Sequence, residues 1–212
     1  MYLREPYNID DRDRQLDFIR RDGWGHIIGV QDGVPFVSHH PFYLHGDKGE
    51  EKLEFHVPKV NPHLQSMCDG QQVQVVFEGP KHYMSPRWCK TERELLPTWI
   101  FVSVHVFGRP KMVRDADEVT SALGRLIDFH EARLGGEPWS LNSVSEEHVR
   151  PRLNRIVGFE MPIERIEANF RLLQNRPTED RRDVMEALSK LPDTHAHKVA
   201  DLIRQHSPQD DN

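Results

Sequence analysis

Residues 24–38 read WGHIIGVQDGVPFVS, and this stretch decides the class of fold. Aromatic and β-branched residues fill both halves, and the dipeptide Asp32-Gly33 separates them. Asp-Gly between two such runs is a strong signal for a tight hairpin, because both residues tolerate a left-handed backbone. The stretch therefore predicts two strands, Trp24 to Val30 and Val34 to Ser38.

Further short β-rich runs lie downstream of this hairpin. They predict strands at Leu53 to Val57, Gln71 to Phe77, Trp99 to Phe107, Lys111 to Val113, Ile156 to Met161 and Ile163 to Phe170. The dipeptide Gly79-Pro80 is expected to end the strand before it. We expect Trp99 to Phe107 to line a barrel edge. Strands at short spacing, without regular strand–helix alternation or a Gly-rich nucleotide loop, argue against a Rossmann-type sheet.

Helical patterns fall mainly before the hairpin and late in the chain. A helix is predicted over Asp10 to Arg21, and a short one opens at Asn61-Pro62, where Asn caps and Pro takes the first position. Asp115 and Glu118 form a capping box ahead of a longer helix. Further helices are expected at Ser145 to Asn154 and from Thr178 onward. The predicted fold class is α+β, mainly β: a small β-barrel with inserted and C-terminal helices.

Composition excludes several classes of protein. The chain has 212 residues, 37% hydrophobic and 29% charged, with a net charge of -6. Its apolar runs are far shorter than a membrane span, its N-terminus lacks an apolar secretion segment, and two cysteines suit a reducing compartment. We therefore expect a cytoplasmic protein without membrane contact. The negative charge also argues against a general nucleic-acid binder.

One local exception to the charge balance is the segment from Arg150 to Arg182, which contains eight Arg and five acidic residues. This segment is read either as a solvated, salt-bridged surface or as an anion site. We expect no direct, sequence-specific DNA binding by the protein alone.

Metal and nucleophile patterns are weak, although the chain contains 13 His. His39 and His40 are adjacent, so on a strand they point to opposite faces. No His pair has the spacing of a zinc helix, and no His-Cys cluster has structural-zinc spacing. No metal site is predicted. Cys89 is expected to be a buried or inert thiol.

Several segments instead combine aromatics, hydroxyls and cations in a way that suits a flat aromatic ligand carrying one phosphate. Backbone and hydroxyl groups would meet ring heteroatoms, Trp faces would stack, and Lys or Arg would hold the phosphate. The alternative is that each Trp and Pro simply builds turns and core. These segments are Ser38 to Phe42, His56 to Pro62, Phe77 to Trp88 and Leu96 to Trp99.

The motifs resemble those of one protein family over nearly the whole chain. They include Ser38 to Phe42, Asn61-Pro62, the run Phe77-x-Gly79-Pro80-x-x-Tyr83-x-Ser85-Pro86-x-Trp88, Pro97-Thr98-Trp99, Pro138 to Leu141, Ile156 to Glu160 and Gln174-Asn175-Arg176. This ordered set resembles the PaiB family, FMN-binding proteins often labelled negative transcriptional regulators, with the FMN-binding split-barrel fold.

The resemblance implies a homodimer with a flavin site shared between subunits. It places Ser38, His39 and His40 near the flavin ring, Lys59 and Asn61 near the phosphate, and Thr98 and Trp99 along the pocket. Gln174 and Asn175 are implied to reach in from the partner, and Ser85 and Trp88 complete the candidate cofactor-binding residues. The implied domains are a split barrel over 1–175, with a helical insert at about 115–154, and a helical extension over 176–212.

Three functions remain open at this point. The first is an FMN-binding regulator or sensor, with negative transcriptional regulation implied by the resemblance. One alternative is a flavin oxidoreductase. The other is a haem-binding or haem-degrading split-barrel protein, because proteins of the same broad fold include haem-binding and haem-degrading members. No acid–base pair stands out, so the sequence assigns no reaction and no catalytic residue.

Overall fold

The computed structural model describes residues 1–90 and 95–206. Within these residues the helices are α1 (Arg12–Asp22), α2 (Leu64–Cys68), α3 (Ala116–Glu131), α4 (Glu146–Leu153), α5 (Thr178–Ser189) and α6 (Thr194–His206). The strands are β1 (Trp24–Gln31), β2 (Val34–Pro41), β3 (Tyr43–His45), β4 (Lys52–Pro58), β5 (Val73–Met84), β6 (Thr98–Gly108), β7 (Lys111–Val113), β8 (Ile156–Pro162) and β9 (Arg165–Arg171). The end of the predicted 176–212 extension, residues 207–212, lies outside the described residues.

The strands form two sheets, in the orders β2-β1-β5-β6-β9 and β3-β4-β8-β7. The pairs β1–β2, β1–β5, β3–β4, β4–β8 and β7–β8 are antiparallel. This confirms the predicted α+β class, although the helices contain nearly as many residues as the strands and the fold is not mainly β. Strand β6 has hydrogen-bonded neighbours on both sides, so the expectation that it lines an edge is wrong.

The chain divides into two compact units whose segments alternate along the sequence. The N-terminal/C-terminal unit contains residues 1–15, 78–104 and 167–212, and the central unit contains residues 16–77 and 105–166. Strands β5, β6 and β9 contribute residues to both units. The predicted division at residue 175 stays a prediction.

The predicted hairpin is present and sets the register of the central unit. Asp32 and Gly33 have φ values of 52° and 79°, the two left-handed residues that a tight two-residue hairpin turn requires. Gln31 pairs with Val34, and the ladder continues to Trp24 opposite Pro41. Strand β2 thus runs three residues beyond its predicted end at Ser38, and it includes His39 and His40.

Two further predicted boundaries, those of β5 and α2, are wrong. Strand β5 continues through Gly79-Pro80 to Met84, because proline fits an extended backbone wherever the ladder needs no donor at its position. Helix α2 begins at Leu64 rather than at Asn61. Strand β3, with only three residues, was not predicted.

In the central unit, side chains alternate between an inner and an outer face of each strand. Ile27 of β1, Val75 of β5, and Leu53 and Val57 of β4 are fully or almost fully buried on the inner face. On the outer face of β4, Glu54 meets Arg125 of α3 in a two-point contact, with Nε–Oε2 at 2.9 Å and Nη2–Oε1 at 2.7 Å. This contact fastens α3 to the outside of the second sheet.

In the N-terminal/C-terminal unit, the first residues and β9 are joined by backbone hydrogen bonds. The Ile9 N–H donates to the Ala168 carbonyl at 3.1 Å, and the Phe170 N–H donates to the Tyr7 carbonyl at 2.9 Å. Helices α5 and α6 bury apolar faces that include Val184, Leu188, Val199 and Ile203. Among the described residues, no helix is both long enough and apolar enough to cross a bilayer.

Candidate functional site

Three consecutive residues of β2 alternate between the two faces of the sheet, as predicted. The side chains of Ser38 and His40 lie on the inner face, each with 7% of the residue exposed. His39 lies on the outer face and is exposed. Its ring meets that of His26 edge-on at 4.5 Å, so only His39 of the three presents its side chain at the surface.

A buried polar network joins the end of β2 to the segment before α2. The Ser38 hydroxyl lies 2.8 Å from His63 Nδ1, and Asn61 Nδ2 donates to the same hydroxyl at 3.4 Å. Asn61 Oδ1 accepts from the His63 backbone N–H at 3.0 Å. Two residues predicted from separate motifs are therefore brought together, and His63 holds them there.

His63 is the site residue that sequence reasoning missed. It is completely buried, and a Cβ on Gly29 would lie 2.5 Å from its Nε2 atom. The absence of a side chain at Gly29 therefore leaves the space that the imidazole occupies. The signal in the sequence was a histidine two residues after Asn61, but nothing local ties it to Gly29.

Helix α2 is too short to hold a phosphate at its N-terminus. With five residues, it has too few aligned peptides to serve as an anion site, and Asn61 caps a turn that precedes it. Lys59 remains as the exposed cation of this segment. Its backbone N–H donates to the Arg155 carbonyl at 2.9 Å, which fixes the chain position from which the ammonium extends.

Three histidines of the central unit have lowered pKa values. Burial, reinforced by the neighbouring His56, His63 and His39, lowers the pKa of His40 from 6.5 to about 4. Burial also lowers the pKa of His56 and of His63. These rings are therefore neutral at physiological pH, and the buried Nε2 atom of His40 has no hydrogen-bond partner within residues 1–90 and 95–206.

The outer face of β1, β2 and β5 in the central unit carries no charged side chain. We call this the uncharged face; it consists of His26, Ile28, Val30, Pro35, Val37, His39, Gln74 and Val76. Val30 and Val37 are 49% and 46% exposed. The exposed valines of this face lie among the polar side chains of His26, His39 and Gln74.

The N-terminal/C-terminal unit contains the other predicted residues. Arg171 Nη2 donates to Thr98 Oγ1 at 2.8 Å, so the hydroxyl predicted to line the pocket is bound to a guanidinium. Trp99 is 56% exposed and meets the Tyr83 ring edge-on at 6.3 Å. This combination offers a cation and an exposed aromatic surface within one unit.

The remaining candidate cofactor-binding residues of this unit differ in how exposed they are and in whether their polar groups already have hydrogen-bond partners. Ser85 directly precedes the short 3-10 turn Pro86–Trp88, and both Ser85 and Trp88 are half-buried. The Trp88 ring lies 6.0 Å from the His82 ring. Gln174 accepts from the Leu172 N–H at 2.8 Å and donates to the Phe170 carbonyl, so its amide holds its own turn. Asn175 is exposed.

Two further sequence predictions, for Cys89 and for Arg181, concern this unit. Cys89 is buried, as expected, and burial next to Asp180 and Asp183 raises the pKa of its thiol to about 11. The sequence predicts a solvated or anion-binding surface for the Arg-rich segment that includes Arg181. It is instead 6% exposed and donates to Thr178 Oγ1 at 2.9 Å, so it is not part of an exposed basic surface.

Comparison with known proteins gives a consistent result. A family model described as "Putative FMN-binding domain" matches residues 1–165. The protein "Protease synthase and sporulation protein PAI 2" of Bacillus subtilis is 26% identical over 203 residues, which cover 96% of each chain.

Solved structures share the fold at low sequence identity. The flavocytochrome Anf3 from Azotobacter vinelandii superimposes with a TM-score of 0.59 at 15% identity, covering 86% of this chain and 77% of that one. The FAD and heme binding protein from Mycobacterium smegmatis gives a TM-score of 0.55 at 16% identity, covering 85% and 80%. The likeness confirms the predicted split-barrel fold.

Proposed function

This chain belongs to the Putative FMN-binding domain family, and on that premise we propose that it binds FMN and acts as a flavin-dependent regulator or sensor. The observation that carries the proposal is the family match over residues 1–165, which includes β2, Lys59 and the Thr98-Trp99 segment. Bound FMN would supply one- and two-electron redox chemistry.

The side chains present fit the chemistry of FMN. Lys59 is an exposed ammonium suited to a phosphate, and it has no ion pair within the described parts of the chain. The outward His39 ring, in the same unit as Lys59, offers a flat surface for an aromatic ring system. Ser38 and Asn61 would act through the buried network, because their polar groups already bind each other and His63.

Replacing Lys59 by alanine is expected to weaken FMN binding about tenfold or more, because a charge-assisted contact to the phosphate is lost. Riboflavin lacks the phosphate, so its affinity should be unchanged. Flavin fluorescence titration of both ligands measures the difference.

Lys111→Ala is the matched control for this titration, since Lys111 is an exposed lysine of the same unit outside the proposed site. It should leave both affinities unchanged. Equal weakening of FMN and riboflavin by Lys59→Ala, or equal affinity of the unaltered protein for the two flavins, would sink the phosphate assignment.

We further propose that the protein is a homodimer with a flavin site shared between its subunits. The uncharged face supports this, because pairing two such faces across a two-fold axis would remove exposed valine and isoleucine from water. The exposed Asn175 of a second copy is the candidate for reaching into the site.

Light scattering is expected to give about twice the 24.8 kDa mass of the chain. Val37→Asp places a charge in the uncharged face, so it should shift the mass toward that of the monomer and weaken FMN binding with it. Leu134→Asp, at a position 74% exposed and outside both this face and the residues proposed for FMN, should change neither. A monomeric unaltered protein at micromolar concentration would contradict the shared site.

We propose that any control of transcription runs through a bound ligand or a protein partner rather than through direct DNA contact. A net charge of -6 opposes binding to the phosphate backbone of DNA, and Arg181 is buried. The name of the Bacillus subtilis relative refers to protease synthase and sporulation.

A further inference from the structure

A pocket of about 510 Å³ lies in the central unit, outside the residues proposed for FMN. His56 of β4 and Ile156 of β8 line one side, and residues of α3, α4 and the segment between them line the other. Most of its wall is apolar, including Leu123, Trp139, Leu141, Val149 and Leu153. This size and lining are typical of pockets for small organic molecules.

Helix α4 shows that this pocket is more than a packing defect. His148, Val149, Arg152 and Leu153 all line it, and their spacing places them on one face of the helix. A surface helix ordinarily buries such a face in the core, but α4 has no buried residue. Its apolar side chains therefore border open space.

The ionisable side chains of the pocket lining are His56, His148 and Arg152. Arg152 uses Nη1 to donate to the His148 carbonyl at 2.6 Å, and its Nε and Nη2 groups have no acceptor among the described residues. His148 Nδ1 lies 2.7 Å from Ser145 Oγ. No Asp or Glu belongs to the described lining, so an anion meets donors without a competing carboxylate.

We propose that this pocket binds a small apolar molecule carrying one carboxylate, with Arg152 holding the carboxylate. The planar guanidinium matches a carboxylate in a two-point contact. Trp139, 44% exposed, and the aliphatic side chains cover the apolar body. FMN itself does not suit the pocket, because its polar ribityl chain would face aliphatic walls.

Calorimetric titration of the full chain with 1-naphthaleneacetate and with neutral 1-naphthaleneethanol tests the proposal. The two probes share the ring and differ in the carboxylate, so the acid should bind about tenfold tighter or more. Arg152→Gln should abolish this difference and leave the alcohol's affinity unchanged. Arg150→Gln, on the same helix but outside the pocket lining, should preserve it.

A second variant tests the pocket independently of its charge. Val149→Trp fills the cavity and should weaken both probes, while the circular dichroism spectrum reports whether the fold is kept. The proposal is overturned if neither probe binds, if both bind equally, or if Arg150→Gln and Arg152→Gln have equal effects. Competition between FMN and the acid for one site would also overturn it.

Discussion

Replacing Arg125 by methionine should lower the free energy of unfolding by about 3 kcal/mol. Arg125 donates twice to Glu54, which is only 3% exposed, and this contact raises the pKa of the guanidinium. Methionine keeps much of the side-chain volume but leaves a buried carboxylate without its counter-charge. Such a group must either stay ionised in a poor solvent or take up a proton, and both are costly.

Urea denaturation measures this difference, and an exposed ion pair supplies the control. Arg20 donates to Asp17 at 2.8 Å with 47% and 62% of the two side chains exposed. Arg20→Met should cost less than about 1 kcal/mol, because water already solvates both partners. If the two variants lose equal stability, the Glu54–Arg125 contact does not fasten α3 to its sheet as described.

Acidification from pH 7 to pH 5 should cost about 2 kcal/mol of stability through His40 alone. Burial and the neighbouring histidines hold its folded pKa at about 4, below the ordinary 6.5. Between pH 6.5 and pH 4, His40 therefore binds a proton in the unfolded chain but not in the native state. The contribution of His40 to the free energy of unfolding is complete above its unfolded pKa of 6.5, and it is lost as the pH falls from 6.5 toward 4. His56 and His63 act in the same direction.

The measurement is a series of urea titrations between pH 7.5 and pH 4.5. His40→Gln removes the titrating group, so its stability should depend less steeply on pH over this range. His195→Gln, at an exposed position of α6, should retain the slope of the unaltered protein. A slope that His40→Gln leaves intact would show that the acid sensitivity comes from elsewhere.

The β-rich hairpin was predictable because its signals are local. Asp32-Gly33 specifies the turn, and the period-two alternation of β2 correctly placed His39 opposite His40. Strand β5 was truncated in the prediction because Gly79-Pro80 is a local break signal that tertiary context overrides. Local propensity cannot report that neighbouring strands hold such a residue extended.

The site was predictable residue by residue but not in its connections. Ser38 and Asn61 were identified from separate motifs, whereas their link through His63 spans 25 residues and depends on the space beside Gly29. Arg181 shows the opposite failure, because a count of charges along the sequence cannot distinguish a buried guanidinium from a solvated one. Long-range packing decided both outcomes.

The absorption spectrum of the freshly purified full chain, recorded before and after adding FMN, tests the central claim most directly. We predict the near-ultraviolet and blue bands of bound flavin, either as purified or after FMN is added and free ligand is removed by gel filtration. The retained FMN should approach one per chain. A Soret band would indicate the haem-binding alternative. A spectrum without flavin bands after FMN addition and filtration would contradict the account.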